Sequence, residues 1–143
     1  MEINIRNIKY NDFYKKYIDL ISELSNVESV NFDLFNKYIK IINDNKHHNI
    51  YVIEFNNIIV ASITILFEQK ITRGFKKVAH IEDVVVKKNF RNKGLCRKMI
   101  AFCINLSKQN NCYKIILNCN NDLVSVYKKY GFNNKNKEMS IYL

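Results

Sequence analysis

The chain has 143 residues, of which 48% are hydrophobic, and it carries a net charge of +10 from 23 basic and 13 acidic residues. This length fits one domain over residues 1–143, and the hydrophobic share excludes a disordered chain. No apolar run approaches the roughly 20 residues needed to span a bilayer, and no apolar signal region follows the N-terminus. We therefore expect a soluble, cytoplasmic protein with no membrane partner. The excess positive charge attracts anions, among them sugar phosphates, pyrophosphates and nucleic acids.

The apolar spacing predicts elements in the order β-α-α-β-β-β-α-β-α-β, which is typical of a mixed α/β protein. Asn11 or Asp12 can cap the first helix, which extends to Leu24. Asn56 and Asn57 tolerate left-handed backbone geometry and predict a tight link between two strands. We predict strands at 2–8, 50–55, 58–67, 77–86, 113–119 and 139–143, and further helices at 31–42, 94–108 and 122–130.

The four cysteines, Cys96, Cys103, Cys112 and Cys119, form no C-x-x-C pair, and the histidines are not at zinc-finger spacing. Free cysteines are usually buried, so we expect free and mostly buried thiols. The sequence therefore predicts no metal site.

The most informative motif is an apolar strand that runs through a basic turn with one glycine into a helix. The first amides of a helix lack intrahelical partners and lie at the positive end of its dipole, so they can hold a pyrophosphate. Gly94 permits a close approach of the backbone, while Arg91, Lys93, Arg97 and Lys98 add positive charge. An ordinary strand-turn-helix with a solvated basic loop is the alternative. The paired glycines of a Walker A loop and of a dinucleotide fingerprint are both missing.

The turn itself, Arg91-Asn92-Lys93-Gly94-Leu95-Cys96, resembles the acetyl-CoA motif of GNAT acetyltransferases, Arg/Gln-x-x-Gly-x-Gly/Ala. Cys96 departs from the last position of that motif. The resemblance implies the GNAT fold, a mixed and mostly antiparallel central sheet flanked by helices. It also implies acetyl-CoA as cosubstrate, bound by Val84, Val85, Val86, Arg91, Asn92, Lys93, Gly94, Leu95, Cys96 and Arg97.

Three further stretches, at residues 80–86, 111–117 and 126–132, resemble one GNAT branch, the eukaryotic glucosamine-6-phosphate N-acetyltransferases. They read His-Ile-Glu-Asp-Val-Val-Val, Asn-Cys-Tyr-Lys-Ile-Ile-Leu and Val-Tyr-Lys-Lys-Tyr-Gly-Phe, in the same order and spacing. The resemblance covers nearly the whole chain. It implies acetylation of glucosamine 6-phosphate on the route to UDP-N-acetylglucosamine, and a homodimer with the active site near the subunit interface.

This branch also implies roles for individual residues. Glu82 corresponds to the general base, and the backbone of residues 84–86 to the binding site of the pantetheine arm. Tyr127 corresponds to the tyrosine that hydrogen-bonds the departing thiolate, and the carbonyl of Asn118 helps to orient the amine. The positions that match the sugar phosphate site are Ser25, Lys70, Arg73, Asp83, Tyr113 and Lys114.

Two positions depart from the branch. Tyr142 stands where relatives carry a phosphate-binding arginine, and Leu123 stands where they carry an asparagine. Arg73, in place of a histidine, offers a compensating cation. Each proposed role has a structural alternative: Glu82 as a solvated charge at a sheet end, Tyr127 as a core anchor, and Arg73 as part of a solvated hairpin tip.

Two other functions remain open from the residues. One is a GNAT enzyme for another amine, such as a protein N-terminus or, less in keeping with the lysines near the motifs, a polyamine. The other is a non-catalytic module that binds acetyl-CoA or nucleic acid. The aromatic residues lie mostly at core-like spacings rather than interleaved with Lys and Arg, so we predict no nucleic-acid partner.

Overall fold

The fold is built on one mixed sheet, seen in a computed structural model that describes residues 3–143. The strand order is β1-β2-β3-β4-β5, with antiparallel neighbours up to β4 and a parallel β4–β5 pair. This confirms the mixed, mostly antiparallel α/β class. The predicted first strand included Glu2, which lies outside the described residues. The strands are β1 (Ile5–Asn7), β2 (His48–Phe55), β3 (Ile58–Gln69), β4 (Lys77–Val86) and β5 (Cys112–Leu117).

Helices connect and cover the strands. The α-helices are α1 (Tyr17–Ser22), α2 (Phe32–Asp44), the single turn α3 (Thr72–Phe75), α4 (Leu95–Gln109) and α5 (Val124–Lys129). Short 3₁₀ turns occur at Tyr10–Lys15, Lys88–Phe90 and Asn121–Leu123. In the described part of the chain, no helix is long and apolar enough to cross a membrane.

The sheet separates two hydrophobic clusters. One lies between the sheet, α4 and Tyr127 of α5, and the other lies under α1 and α2. Residues 59–65 of the central strand β3 are all buried, because helices cover both faces of the sheet there. Such a strand is a near-continuous apolar run, as the sequence of β3 is. The sheet is therefore a rigid platform for the loops at its edge.

The predicted first helix is wrong in its first half. Asp12 caps no continuous helix but is fully buried, where its carboxylate binds the guanidinium of Arg6 through two contacts of 2.8 Å. The backbone amide of Lys9 donates to the same carboxylate. Lys16 has a left-handed backbone (φ 62°), so the 3₁₀ turn cannot continue into α1 as one helix.

The predicted C-terminal strand is also wrong. Residues 133–143, all within the described range, form neither helix nor strand. An extended segment needs hydrogen-bonding partners to become a strand, and this one lies on no strand of the sheet. Its apolar side chains are almost fully exposed: Met139 95%, Ile141 88% and Tyr142 96%.

Two smaller predictions have opposite outcomes. The tight link between β2 and β3 is confirmed, because Asn56 and Asn57 both adopt left-handed geometry (φ 48° and 60°). The expectation of mostly buried thiols is wrong, although all four cysteines are free. Only Cys103 is buried, while Cys119 is exposed and the other two are half-buried. Cys119 lies two residues beyond the end of β5, outside the buried core.

The buried hydroxyl of Tyr17 should make the free energy of unfolding fall at alkaline pH. Its side chain is buried in the second cluster, and burial raises the pKa of its hydroxyl from 10.0 to about 12. Above pH 10 the unfolded chain loses a proton that the folded chain keeps. Tyr17 is therefore neutral to stability below pH 10 and should lower the free energy of unfolding by about 2 kcal/mol at pH 12. Urea titrations measure the free energy of unfolding, which should fall less steeply with pH between 10 and 12 for Tyr17→Phe than for the wild type. Equal slopes for the two proteins would contradict the raised pKa of Tyr17.

Candidate active site

Strand β4 contains a bulge near the point where it separates from β5. Between the pairs Ser62–Val85 and Thr64–Glu82, β4 has one residue more than β3. Asp83, within this bulge, has a left-handed backbone (φ 49°), which an aspartate tolerates better than most residues. The bulge interrupts the ladder and turns the polar pair 82–83 out of the sheet.

Strands β4 and β5 pair only along the first half of β4. The parallel register runs from Lys77 opposite Cys112 to Ile81 opposite Leu117, where β5 ends. Strand β4 continues to Val86, and among the described residues no strand pairs with this part of its outer edge. The backbone of residues 82–86 therefore offers donors and acceptors along an open gap.

A cavity of about 240 Å³ lies where the two strands separate. It contains polar side chains and backbone from three elements: the bulge of β4, the segment after β5, and the start of α5. Its wall also includes Leu24, just beyond α1. The lining residues are Leu24, Ile81, Glu82, Asp83, Val84, Leu117, Asn118, Cys119, Asn120, Leu123 and Tyr127.

The cavity combines an exposed carboxylate with a buried phenol. Glu82 and Asp83 are both exposed at the cavity. Tyr127 is only 9% exposed, and burial raises the pKa of its hydroxyl to about 12. Nearby Cys96, Cys119 and Tyr130 act in the same direction. Tyr127 therefore keeps its proton at neutral pH and can donate a hydrogen bond into the cavity.

The basic turn leads from β4 into α4 as the sequence predicts. Asn92 and Gly94 have left-handed backbones (φ 60° and 77°), and Gly94 is the N-cap residue of α4. Within residues 3–143, no side chain caps the N-terminus of this 15-residue helix. Its first amides are therefore available for an anion, and Arg97 and Lys98 lie exposed in the same turn. A pyrophosphate fits this donor set.

Side-chain contacts fix the turn. Arg91 donates from Nε to the carbonyl of Val86 at 2.9 Å, which joins the end of β4 to the turn. The ammonium of Lys93 lies 5.0 Å from the ring centroid of Phe90, and that ring packs edge-on against Phe55 of β2. Arg91 and Lys93 are thus both held in place by contacts within a short segment. Cys96 is half-buried, and burial raises the pKa of its thiol, so it is a neutral group here.

A second group of cations surrounds Tyr113 at the beginning of β5. The guanidinium of Arg73 lies 5.6 Å and the ammonium of Lys114 lies 5.7 Å from the centroid of the Tyr113 ring. Lys70 contacts Glu68, and this hydrogen bond raises the pKa of Lys70. We call Lys70, Arg73, Tyr113 and Lys114 the cation cluster.

The structure separates the cation cluster from the cavity. Tyr113 and Leu117 are four residues apart on one strand, or about 13 Å at the usual rise of a strand. The cluster thus lies at the beginning of β5 and the cavity at its end. Among the predicted site residues, the cavity brings together Glu82, Asp83, Val84, Asn118 and Tyr127.

Other predicted site residues lie outside this group. Ser25 is exposed beside the cavity residue Leu24. Tyr142, the position that departs from the family's phosphate-binding arginine, lies on the exposed C-terminal segment. Sequence reasoning missed Leu24, Cys119 and Asn120 as lining residues. Nothing local signals Leu24. Cys119 and Asn120 follow directly after Asn118, and this position just beyond β5 could have indicated that they line the cavity as well.

Comparisons with known proteins agree with this geometry. The model of the acetyltransferase (GNAT) family matches residues 10–132. The chain is 36% identical over 141 residues to glucosamine 6-phosphate N-acetyltransferase of Arabidopsis thaliana, covering 96% of this chain and 95% of that protein. It is 31% identical to glucosamine 6-phosphate N-acetyltransferase 1 of Dictyostelium discoideum, covering 99% and 91%. A crystal structure of the Arabidopsis thaliana protein matches with a TM-score of 0.95, at 34% identity and 99% coverage of both chains.

The family model covers most of the chain, and the sheet has the splayed β4–β5 pair and the basic turn described above. The chain therefore belongs to the GNAT family of acetyltransferases. The two relatives, both named as glucosamine 6-phosphate N-acetyltransferases, match it over nearly their full length.

Proposed function

We propose that residues 1–143 form one N-acetyltransferase domain that transfers the acetyl group of acetyl-CoA to the amine of glucosamine 6-phosphate. The observation that carries this function is the near full-length match to relatives of that name, combined with the cavity between β4 and β5. The products are N-acetylglucosamine 6-phosphate and CoA, on the route to UDP-N-acetylglucosamine. We place the reaction in the cytoplasm, which fractionation of cells would test.

Acetyl-CoA supplies the acetyl thioester, and the turn at residues 91–97 supplies the site for its pyrophosphate. This assignment is supported by the uncapped N-terminus of α4 and by the braced cations of the turn. The outer edge of residues 84–86, with which no described strand pairs, would bind the pantetheine arm as an added strand does. A backbone amide on that edge would polarise the thioester carbonyl.

Different side chains of the cavity would act on the attacking amine and on the departing sulfur. The attacking amine must lose a proton, and Glu82 would accept it directly or through one water. The bond from nitrogen to the acetyl carbon forms as the carbon–sulfur bond breaks. Tyr127, which keeps its own proton at neutral pH, would donate a hydrogen bond to the departing sulfur. The carbonyl of Asn118 would orient the amine from the opposite wall.

Tyr127→Phe should lower kcat by about 10- to 100-fold, because a charge-assisted hydrogen bond to the leaving thiolate is lost. The ring remains, so the packing of α5 is kept. Thiol release with saturating acetyl-CoA and glucosamine 6-phosphate measures this, and Tyr130→Phe, the neighbouring half-buried tyrosine, is the matched control. An unchanged kcat would leave Tyr127 as a core anchor only.

The substrate assignment is tested by following free thiol release from acetyl-CoA with glucosamine 6-phosphate, glucosamine and glucosamine 1-phosphate in parallel. We expect turnover with the 6-phosphate alone. Turnover with none of the three, together with acetyl-CoA binding, would contradict the substrate and leave another amine as the acceptor.

We assign phosphate recognition to the cation cluster, with Ser25 and Asp83 contacting the sugar. Lys and Arg are the side chains that phosphate binds best, and Arg73 presents its guanidinium on an exposed turn. Because the cluster and the cavity lie at opposite ends of β5, a second copy that brings its own cluster to this cavity would complete the site. A homodimer is therefore part of the proposal.

The exposed C-terminal segment supports this homodimer. Met139, Ile141 and Leu143 alternate with polar or amphipathic neighbours, as they would on one face of a strand, and all three are exposed in the single chain. A second copy would bury them. Light scattering should give about twice the 17.0 kDa mass of the chain. A single-chain mass at micromolar concentration would contradict the homodimer.

A further inference from the structure

Glu23, at the end of α1, connects that helix to the turn that follows β4. Its carboxylate accepts a hydrogen bond from the backbone amide of Lys88 at 2.9 Å. The same oxygen, Oε2, accepts from Nη2 of Arg91 at 3.3 Å, while Oε1 lies 3.9 Å from the ammonium of Lys87. Glu23 therefore bridges to three residues that lie more than 60 positions away in the chain.

This bridge differs from an ordinary surface ion pair. Exposed pairs contribute little because both side chains are solvated and mobile. The side chain of Glu23 is 27% exposed and that of Arg91 is 51% exposed, so the ion pair alone would contribute little. The difference is the contact to the backbone amide of Lys88, which fixes the main chain and not only a side chain. The guanidinium of Arg91 is held at two points, by Glu23 and by the carbonyl of Val86.

We propose that Glu23 is a positioning residue that fixes residues 87–91, the segment leading into the pyrophosphate-binding turn at residues 91–97. It holds the beginning of the turn, and hence Arg91, in the geometry that binds the pyrophosphate of CoA. This inference rests on the proposed function, because it takes the turn as the CoA site. The next residue, Leu24, lines the cavity between β4 and β5.

Two effects of Glu23 oppose each other. Its negative charge lowers the positive potential near the turn, which weakens attraction for an anion. Its contacts pre-order the turn, which lowers the entropy lost on binding. The contacts to the backbone of Lys88 and to Arg91 decide between them, because they fix the main chain that leads into the turn and hold the guanidinium of Arg91 in place before CoA binds. We therefore expect loss of Glu23 to weaken CoA binding.

The test is calorimetric titration of CoA into the whole protein and into Glu23→Ala and Glu23→Gln. Glu23→Ala should raise the Kd about tenfold, because it removes every contact to the turn. Glu23→Gln should raise it only about threefold, because an amide oxygen still accepts from the amide of Lys88. Glu28→Gln, an exposed glutamate in the loop after α1, is the matched control and should leave the Kd unchanged.

A second readout separates positioning from a general structural role. S-acetylpantetheine carries the reacting thioester but lacks the pyrophosphate. Glu23→Ala should lower kcat/KM for acetyl-CoA about tenfold and leave kcat/KM for S-acetylpantetheine unchanged. An equal loss with both thioesters would reduce Glu23 to a structural residue, and tighter CoA binding by either variant would show that it competes with the pyrophosphate. Wild-type protein that fails to bind CoA would overturn the proposed function together with this inference.

Discussion

Replacing Glu82 with glutamine is expected to lower kcat by about 10²- to 10⁴-fold, the usual contribution of a general base. The amide keeps the shape of the side chain at the bulge of β4 but cannot accept a proton. Because Glu82 is exposed at the cavity, the fold should tolerate the change. Thiol release at saturating substrates measures kcat, and calorimetry with CoA verifies that the cosubstrate site is intact.

The pH dependence distinguishes a base from a residue that only holds the substrate. As pH rises, a growing fraction of the amine is unprotonated without help, so the deficit of Glu82→Gln should shrink. Glu28→Gln serves as the matched control and should behave like the wild type at every pH. A deficit that stays constant from pH 6 to 9, or a kcat within threefold of wild type, would count against the assignment.

Asp12→Ala is expected to cost about 3 kcal/mol in the free energy of unfolding, because it leaves a paired cation without its buried partner. Asp12 is fully buried and binds Arg6 through both carboxylate oxygens. Arg6 keeps a second partner, Glu54 at 2.6 Å, which limits the loss. Urea unfolding measures the change, and the melting temperature should fall by roughly 10 °C.

Asp19→Ala is the matched control for Asp12→Ala. Asp19 also lies in the N-terminal segment and pairs with a lysine, Lys16 at 3.6 Å, but both side chains are about 60% exposed. Its removal should change the free energy of unfolding by less than about 0.5 kcal/mol. Equal losses for the two variants would mean that burial does not decide the strength of the Asp12 pair.

Much of the sheet and of the basic turn could be predicted from the sequence because their signals are local. Strand β4 and helix α4 are periodic apolar segments, and the basic turn with Gly94 lies directly between them. The Asn56–Asn57 link follows from the backbone preference of asparagine alone. Each of these features depends on residues within a few positions of one another.

The errors have long-range causes. Asp12 reads as a helix cap, but its carboxylate is buried and binds Arg6 of β1, which also binds Glu54 of β2, 48 positions further along the chain. Residues 139–143 have the alternation of apolar and polar side chains of a strand, but a strand also needs a neighbouring strand to hydrogen-bond with. The segment's own residues do not say whether such a neighbour exists. The bridge from Glu23 to Arg91 spans 68 positions and leaves no local pattern at either end.

The residues that could carry chemistry were visible in the sequence: the basic turn with Gly94, and, through the family resemblance, the Glu82–Asp83 pair and Tyr127. Which of them lie together became clear from the fold. The bulge of β4 and the early end of β5 open the cavity that joins Glu82 to Tyr127, and they leave the cation cluster at the other end of β5. The physical reason is that periodicity and turn preferences act between near neighbours, whereas strand pairing and burial join residues without regard to their separation in the chain.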